Sequence, residues 1–188
     1  LRGHTDNVNC LIKVDDYLVS GSKDKTIKLW NLRTKEEVAT LEEHTDSIKC
    51  LAITNGHLVS GSKDNTIRVW STSEKEKSTT LEGCFDSVRC LATTFGYLAS
   101  GFDDSTIKLW NPKNKQEVAV LKGHTSNVLS LTAFGEYLAS GSSDNTIRLW
   151  NTSTKQEVAV FEGHTDWVRS LTTINGYLAS GSEDKTIR

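Results

Sequence analysis

The sequence predicts an all-β chain built from a repeated, four-stranded antiparallel sheet. Three observations carry this. Gly3-His4-Thr5-Asp6 recurs as His44-Thr45-Asp46, Gly123-His124-Thr125 and Gly163-His164-Thr165-Asp166, in one 40-residue frame. Trp30, Trp70, Trp110 and Trp150 stand in the same frame, each before a small polar residue. Between these marks the apolar residues alternate with period two, not 3.6. A fixed period of this length makes each unit one supersecondary block that cannot bury its own apolar face, so its neighbours must cover it.

Units at 1–40, 41–80, 81–120, 121–160 and 161–188 follow without a register shift, as a single repeat segment. The fourth unit shows the elements most clearly. Asn127-Val128-Leu129-Ser130-Leu131-Thr132 is a mostly apolar run suited to a strand covered on both faces. Phe134-Gly135-Glu136 is a turn, and Tyr137-Leu138-Ala139-Ser140-Gly141 a second strand. Ser142-Ser143-Asp144-Asn145 is a tight turn whose Asp and Asn can bond local backbone. Thr146-Ile147-Arg148-Leu149-Trp150 is a third strand, with Ile147 and Leu149 on one face and Arg148 and Trp150 on the other. A polar loop over 151–155 leads to a fourth strand, Gln156 to Phe161. Pro112, the one proline, sits in a loop where it removes no ladder bond. Regular short strands of this kind describe sheet blades: four full ones plus three strands of a fifth, nineteen strands in all. The outer strand of the second unit, at Glu76-Lys77-Ser78-Thr79-Thr80, is expected to be the weakest because it is the most polar. The fifth unit stops before its Trp, and Leu1-Arg2 reads as the tail of a strand. The expectation is therefore a segment of a longer array, an open arc rather than a closed ring. Its bare end blades should make the isolated segment self-associate.

Net charge is −2 with 24% charged residues, so no nucleic-acid partner held by a basic surface is expected. No apolar run approaches the roughly 20 residues of a membrane helix, and no charged leader opens the chain, so neither membrane partner nor signal peptide is expected. Cys10, Cys50 and Cys90 occupy one repeat position, too far apart between units to pair. With no CxxC pair, neither metal nor other cofactor is expected, and reduced thiols point to an intracellular, cytoplasmic or nuclear protein.

The pattern GH, strand, then LxSGSxDxTIxLW resembles the WD-repeat β-propeller family. It is nearly complete in units one, two and four, and holds in unit five as far as that unit runs. The Asp of the family's Trp-Asp pair is replaced throughout, by Asn31, Ser71, Asn111 and Asn151. The 40-residue period with a short link between the first two strands is similar, more loosely, to the F-box/WD-repeat ubiquitin-ligase receptors. Each unit holds a His, a Ser and an Asp, but a hydrolase triad needs an exposed nucleophile and an oxyanion hole, once. No GxSxG elbow exists, and the trio recurs beside each Trp. The resemblance implies a structural network instead: Asp accepts from the His ring, His bonds Ser, and Ser meets the indole N–H. Its members would be His4, Ser20, Asp24 and Trp30; His44, Ser60, Asp64 and Trp70; His124, Ser140, Asp144 and Trp150; and His164, Ser180 and Asp184. The third unit keeps Ser100, Asp104 and Trp110 but has Cys84 in place of His, with Phe85 and Phe102 replacing Thr and Ser. Two readings stand: compensating apolar packing, or an exposed aromatic pair that takes a partner.

In the family, the usual contact face carries the turns between second and third strands and the starts of the first strands. Carried over by position, this names Asn7 and Asn9, Ser47 and Lys49, Ser87 and Arg89, Asn127 and Leu129, and Trp167 and Arg169. Beside the turn Asp stand Lys23, Lys63, Asp103, Ser143 and Glu183. Phe85, Phe102 and Trp167 are aromatic anchor candidates. Lys23, Lys49, Lys63, Arg89 and Arg169 are candidates for an acidic or phosphorylated peptide. The function expected is a non-catalytic protein-interaction scaffold. The alternatives are a ubiquitin-ligase substrate receptor reading a phosphorylated motif, and a sensor domain of a larger NTPase or kinase. No GxxxxGK[ST] loop occurs in these residues.

Overall fold

The structure is a computed structural model that describes residues 1–70 and 78–188. Ser71, Glu76 and Lys77, on which sequence expectations were placed, lie outside the described residues. Eighteen strands and no helix are found among those described. The first blade runs β1 (Val8–Val14), β2 (Tyr17–Ser22), β3 (Ile27–Asn31) and β4 (Glu37–Leu41). The second is β5 (Ile48–Thr54), β6 (His57–Ser62), β7 (Ile67–Trp70) and β8 (Ser78–Leu81), and the third is β9 (Val88–Thr94), β10 (Tyr97–Phe102), β11 (Ile107–Trp110) and β12 (Glu117–Leu121). The fourth is β13 (Val128–Phe134), β14 (Tyr137–Ser142), β15 (Ile147–Asn151) and β16 (Gln156–Phe161). The fifth is a two-stranded sheet, β17 (Val168–Ile174) and β18 (Tyr177–Ser182).

Each full blade is a meander in chain order, and no sheet closes on itself. The expected nineteenth strand is not formed: Gly181 and Ile187 make only an isolated antiparallel bridge. Thr186 to Arg188 bond β18 at Ser182 and, reciprocally, at Ser180, a run too short to count as a strand. The hairpin turns use left-handed residues where the sequence puts small polar ones, as at Asn55 (φ 48°), followed by Gly56 (φ 76°).

The chain divides into two compact units, Leu1–Val88 and Arg89–Arg188. In the first, the core lies between blades one and two: Val19, Ile27 and Leu41 meet Ile48, Leu58 and Trp70. In the second, blade four is covered on both faces. Val128, Leu138 and Trp150 pack with Ala99, Ile107 and Leu109 of blade three, while Ala139, Ile147 and Leu149 pack with Val168 and Leu171 of blade five. This is the two-faced third strand that period two predicts, Ile147 and Leu149 on one side and Trp150 on the other.

Candidate functional site

The most regular polar feature begins in the turn between second and third strands. In the first blade the Asp24 carboxylate accepts the Thr26 N–H at 2.9 Å and the Thr26 hydroxyl at 2.7 Å through Oδ1. Oδ2 accepts the Thr5 N–H at 3.0 Å and faces His4 Nδ1 at 2.7 Å. His4 Nε2 lies 2.7 Å from Ser20 Oγ, and the Trp30 indole N–H donates to the same oxygen at 2.8 Å. An ionised carboxylate only accepts, so Nδ1–H is the donor to Asp24, and Nε2 takes the Ser20 hydroxyl proton. The chain of donors then runs Trp30, Ser20, His4, Asp24 with every member satisfied.

The same distances recur for His44, Ser60, Asp64 and Trp70. His124, Ser140, Asp144 and Trp150 repeat the arrangement at 2.8, 2.7 and 2.8 Å. In the fifth blade His164 lies 2.6 Å from Asp184 and 2.8 Å from Ser180. The third blade has no imidazole at position 84: Trp110 still donates to Ser100 at 2.8 Å, and Asp104 holds Thr106 at 2.9 and 2.6 Å.

Burial pushes the Asp24 carboxyl upward, but bonds from Thr26, Thr5 and His4 outweigh it and hold the group well below the usual range. Asp64 and Asp144 behave alike: burial raises them, and bonds from the His and Thr partners more than reverse it. Asp184 is lowered chiefly by the Thr186 hydroxyl. In the unfolded chain these groups bind protons below about pH 4, where the folded chain still holds them ionised. The unfolded state then binds more protons, so the stability they add is complete above about pH 5 and is lost as the pH falls toward the depressed folded values. Urea midpoints measured from about pH 7 to about pH 2.5 should be level and then drop steeply below about pH 4; a level profile to the acid end contradicts this.

The network does not form an active site. Ser20, Ser60, Ser100 and Ser140 are at most 3% exposed and already accept an indole N–H, leaving no approach for a carbonyl carbon. Burial pushes the Cys10 thiol up to about 12 and raises Cys90 as well, so neither is a thiolate nucleophile. No cysteine is in a disulfide. Among the described residues no group of three His, Cys, Asp or Glu converges as a metal site.

The partner-binding candidates divide by burial. In the first unit Lys23 and Lys63 are exposed, Lys23 lying 3.5 Å from Asp6, while Lys49 is half-buried. Ser47 and Ser87 are buried, and the Asn9 amide donates to Ser47 Oγ at 3.0 Å and Ile48 O at 2.7 Å, tying blade one to blade two. Phe85 is 84% exposed. In the second unit Phe102 is 1% exposed, so of the two readings the exposed aromatic pair does not hold. Position 102 is the last residue of β10, and the serines there in other blades, Ser22, Ser62 and Ser142, are buried as well. The apolar-packing reading accounts for Phe102. Arg89 donates to Asp103 at 2.6 Å, and Asp103 also accepts from Asn127, so Arg89 is committed within its blade and to its neighbour.

Trp167 is 42% exposed on the loop before β17. The Arg169 guanidinium lies 4.6 Å from its ring centroid and donates to Glu183 at 2.7 Å. Sequence reading missed Phe95, 69% exposed in the β9–β10 turn, where the other units carry Asp15, Asn55, Gly135 and Asn175. An aromatic among turn-forming residues was the available signal.

The family described as WD domain, G-beta repeat (WD40) matches residues 1–31, 35–71, 75–111, 115–151 and 155–188. Over 41 residues the chain is 56% identical to the F-box/WD repeat-containing protein pof1 of Schizosaccharomyces pombe, 22% of this chain and 7% of pof1. Over 40 residues it is 50% identical to the kinesin-like protein KIF21A of Homo sapiens, 21% of this chain and 2% of that protein. The matched stretches are thus a small part of these relatives. A solved structure of U3-55K superposes with a TM-score of 0.91 at 26% identity, covering all of this chain and 62% of the other. The computationally designed Ika8 protein superposes at 0.84 with 33% identity, covering 98% of this chain and 58% of the other. Five matches in the same 40-residue frame as the His–Ser–Asp network place the chain in the WD-repeat family.

Proposed function

We propose that the chain is a non-catalytic protein-interaction scaffold that takes a peptide or domain on the loop face of its blades. The observation that carries this reading is the Trp167–Arg169 pair. A half-exposed indole with a guanidinium stacked on it, itself held by Glu183, is a pre-ordered anchor on a loop that a rigid sheet positions. Trp and Arg dominate the residues that carry binding energy in interfaces. Phe85 is a second exposed anchor, on the first unit.

A second reading makes this scaffold the substrate receptor of a ubiquitin ligase that recognises a phosphorylated motif. Its supports are pof1, the probable SCF subunit scon-2 of Neurospora crassa (49% identical over 41 residues), and the exposed Lys23 and Lys63 in equivalent turns. One experiment addresses both. Proteins captured by the immobilised chain are compared for wild type, Trp167→Ala and Phe95→Ser, with and without phosphatase treatment. Trp167→Ala should weaken retention about 30-fold, and Phe95→Ser, at the other end of its strands, should not. Retention unchanged by Trp167→Ala sinks the loop-face reading, and retention indifferent to phosphatase sinks the receptor reading.

A further inference from the structure

Two departures from the repeat fall on one turn. The β9–β10 turn carries Phe95, 69% exposed, where the corresponding turns carry Asp15, Asn55, Gly135 and Asn175. The β11–β12 loop carries Pro112 where the first and fourth blades carry Leu32 and Thr152. In the first blade the Leu32 N–H donates to Asp16 O of the adjoining turn at 2.9 Å. In the fourth the Thr152 hydroxyl donates to Glu136 O at 3.4 Å. Pro112 has neither an N–H nor a hydroxyl. Gly96 O holds the place of Asp16 O and Glu136 O, so it lacks the donor that the loop supplies in those blades. Gly96 is exposed, and it stands next to Phe95.

The same end of blades three and four is basic. Its turns and loops carry Lys113, Lys115 and Lys155 against a single acid, Glu136. Lys155 reaches from the β15–β16 loop to blade three. Its ammonium lies 3.7 Å from the centroid of the Tyr97 ring and also donates to Thr152 O. Tyr97 opens the strand that leaves the Phe95 turn, so this cation is held at the turn.

We infer that this turn docks an extended segment of an acidic partner protein. An apolar side chain of the segment covers Phe95, a backbone N–H donates to Gly96 O, and its carboxylates face Lys113, Lys115 and Lys155. A lone exposed Phe is an ordinary surface residue. Here an acceptor released by Pro112 lies in the same turn, and the charge around it has one sign. A main-chain bond for affinity, with a side-chain anchor and charge for choice, is how extended peptides are recognised. The surface lies at the other end of the strands from Trp167 and serves a different partner, so a protein retained through Trp167 does not depend on Phe95.

The test is a random peptide display library selected on the 188-residue chain and counter-selected on Phe95→Asn. Phe95→Asn recreates the Asn-Gly turn of blades two and five, and Pro112→Leu recreates the Leu of blade one, so both variants use sequence this fold already contains. The surviving peptides should be acidic and carry an aliphatic or aromatic residue. Their synthesised consensus should bind wild type with a Kd of about 10–100 µM by isothermal titration calorimetry. Phe95→Asn should weaken that binding at least about 30-fold. Pro112→Leu leaves Phe95 in place and returns a donor to Gly96 O. It should weaken binding about 10-fold, as should N-methylation of one backbone amide of the peptide. Lys155→Gln, expected to weaken binding about 5-fold, replaces a variant that circular dichroism shows to have lost the fold. A library that yields no peptide dependent on Phe95 overturns the inference. So does a basic consensus, or a peptide that binds Pro112→Leu as tightly as wild type.

Discussion

Asp144→Ala should lower the stability of the chain by about 3 kcal/mol, and Asp104→Ala by less than about 1 kcal/mol. Both aspartates occupy the same turn position and both hold the Thr two residues on. They differ in what lies behind them. Asp144 also accepts the Thr125 N–H at 3.0 Å and the His124 ring at 2.8 Å, in a site where His124 is 7% exposed. Removing its carboxylate leaves the buried imidazole N–H only the Thr146 hydroxyl, 3.4 Å away, and strips the Thr125 N–H of its acceptor, so the cost is most of the desolvation of those groups. Asp104 is exposed and serves no imidazole, since Cys84 stands in that place. Asp144→Asn should recover less than half of the loss. Its oxygen can keep Thr146, but its amide then points a donor at two donors. Urea melts of the three variants, followed by circular dichroism, make the comparison. Equal losses at positions 104 and 144 would show that the turn, not the imidazole, is what the carboxylate stabilises.

The repeat made most of the fold legible. Strand order, turn positions and the two-faced third strand follow from period two inside a 40-residue frame, because a blade covered on both sides tolerates no slip of register. The His–Ser–Asp–Trp spacing was legible for a different reason: those residues recur together, and a buried polar group needs its partner in every copy. Phe102 was not legible as buried. It follows a Gly and precedes a turn, which reads as surface, and the serine it replaces gives no sign from its type that it is fully enclosed. In the fourth blade the equivalent residue, Ser142, is buried where the end of the second strand tucks beneath the loop before the first. In the intact blades that loop's carbonyl accepts the serine hydroxyl, as Ser142 donates to Ser126 O at 3.0 Å. The recurring glycine at 21, 61, 101, 141 and 181 was visible as a repeat, yet nothing in the string says which neighbouring atom needs the room. That information is carried by residues 27 positions further on, in the next blade.

Gly101→Val should cost about 3 kcal/mol or more, and Gly101→Ala about 1–3 kcal/mol, against the usual trend for glycine in a strand. Elsewhere alanine is better than glycine in a strand by roughly 0.5–1 kcal/mol, because glycine loses more freedom on folding. The sign inverts here for a steric reason. A Cβ at position 101 would stand 2.6 Å from Cys90 Sγ and 2.6 Å from Val128 Cγ1. Cys90 can turn about one bond, but Val128 is stiff at χ1 and 0% exposed. Blades three and four must therefore part, which opens the core shared by Ala99, Leu109, Val128 and Trp150. Val128→Ala removes the obstructing methyls, so adding it to Gly101→Ala should give a double variant more stable than the sum of the two single losses, by about 1 kcal/mol. Gly181→Ala is the internal control: its Cβ has 3.8 Å of room, and a few tenths of a kcal/mol in either direction is expected. Strict additivity at 101 and 128, or equal losses at 101 and 181, would mean that the glycine is there for its backbone and not for the Val128 side chain it receives.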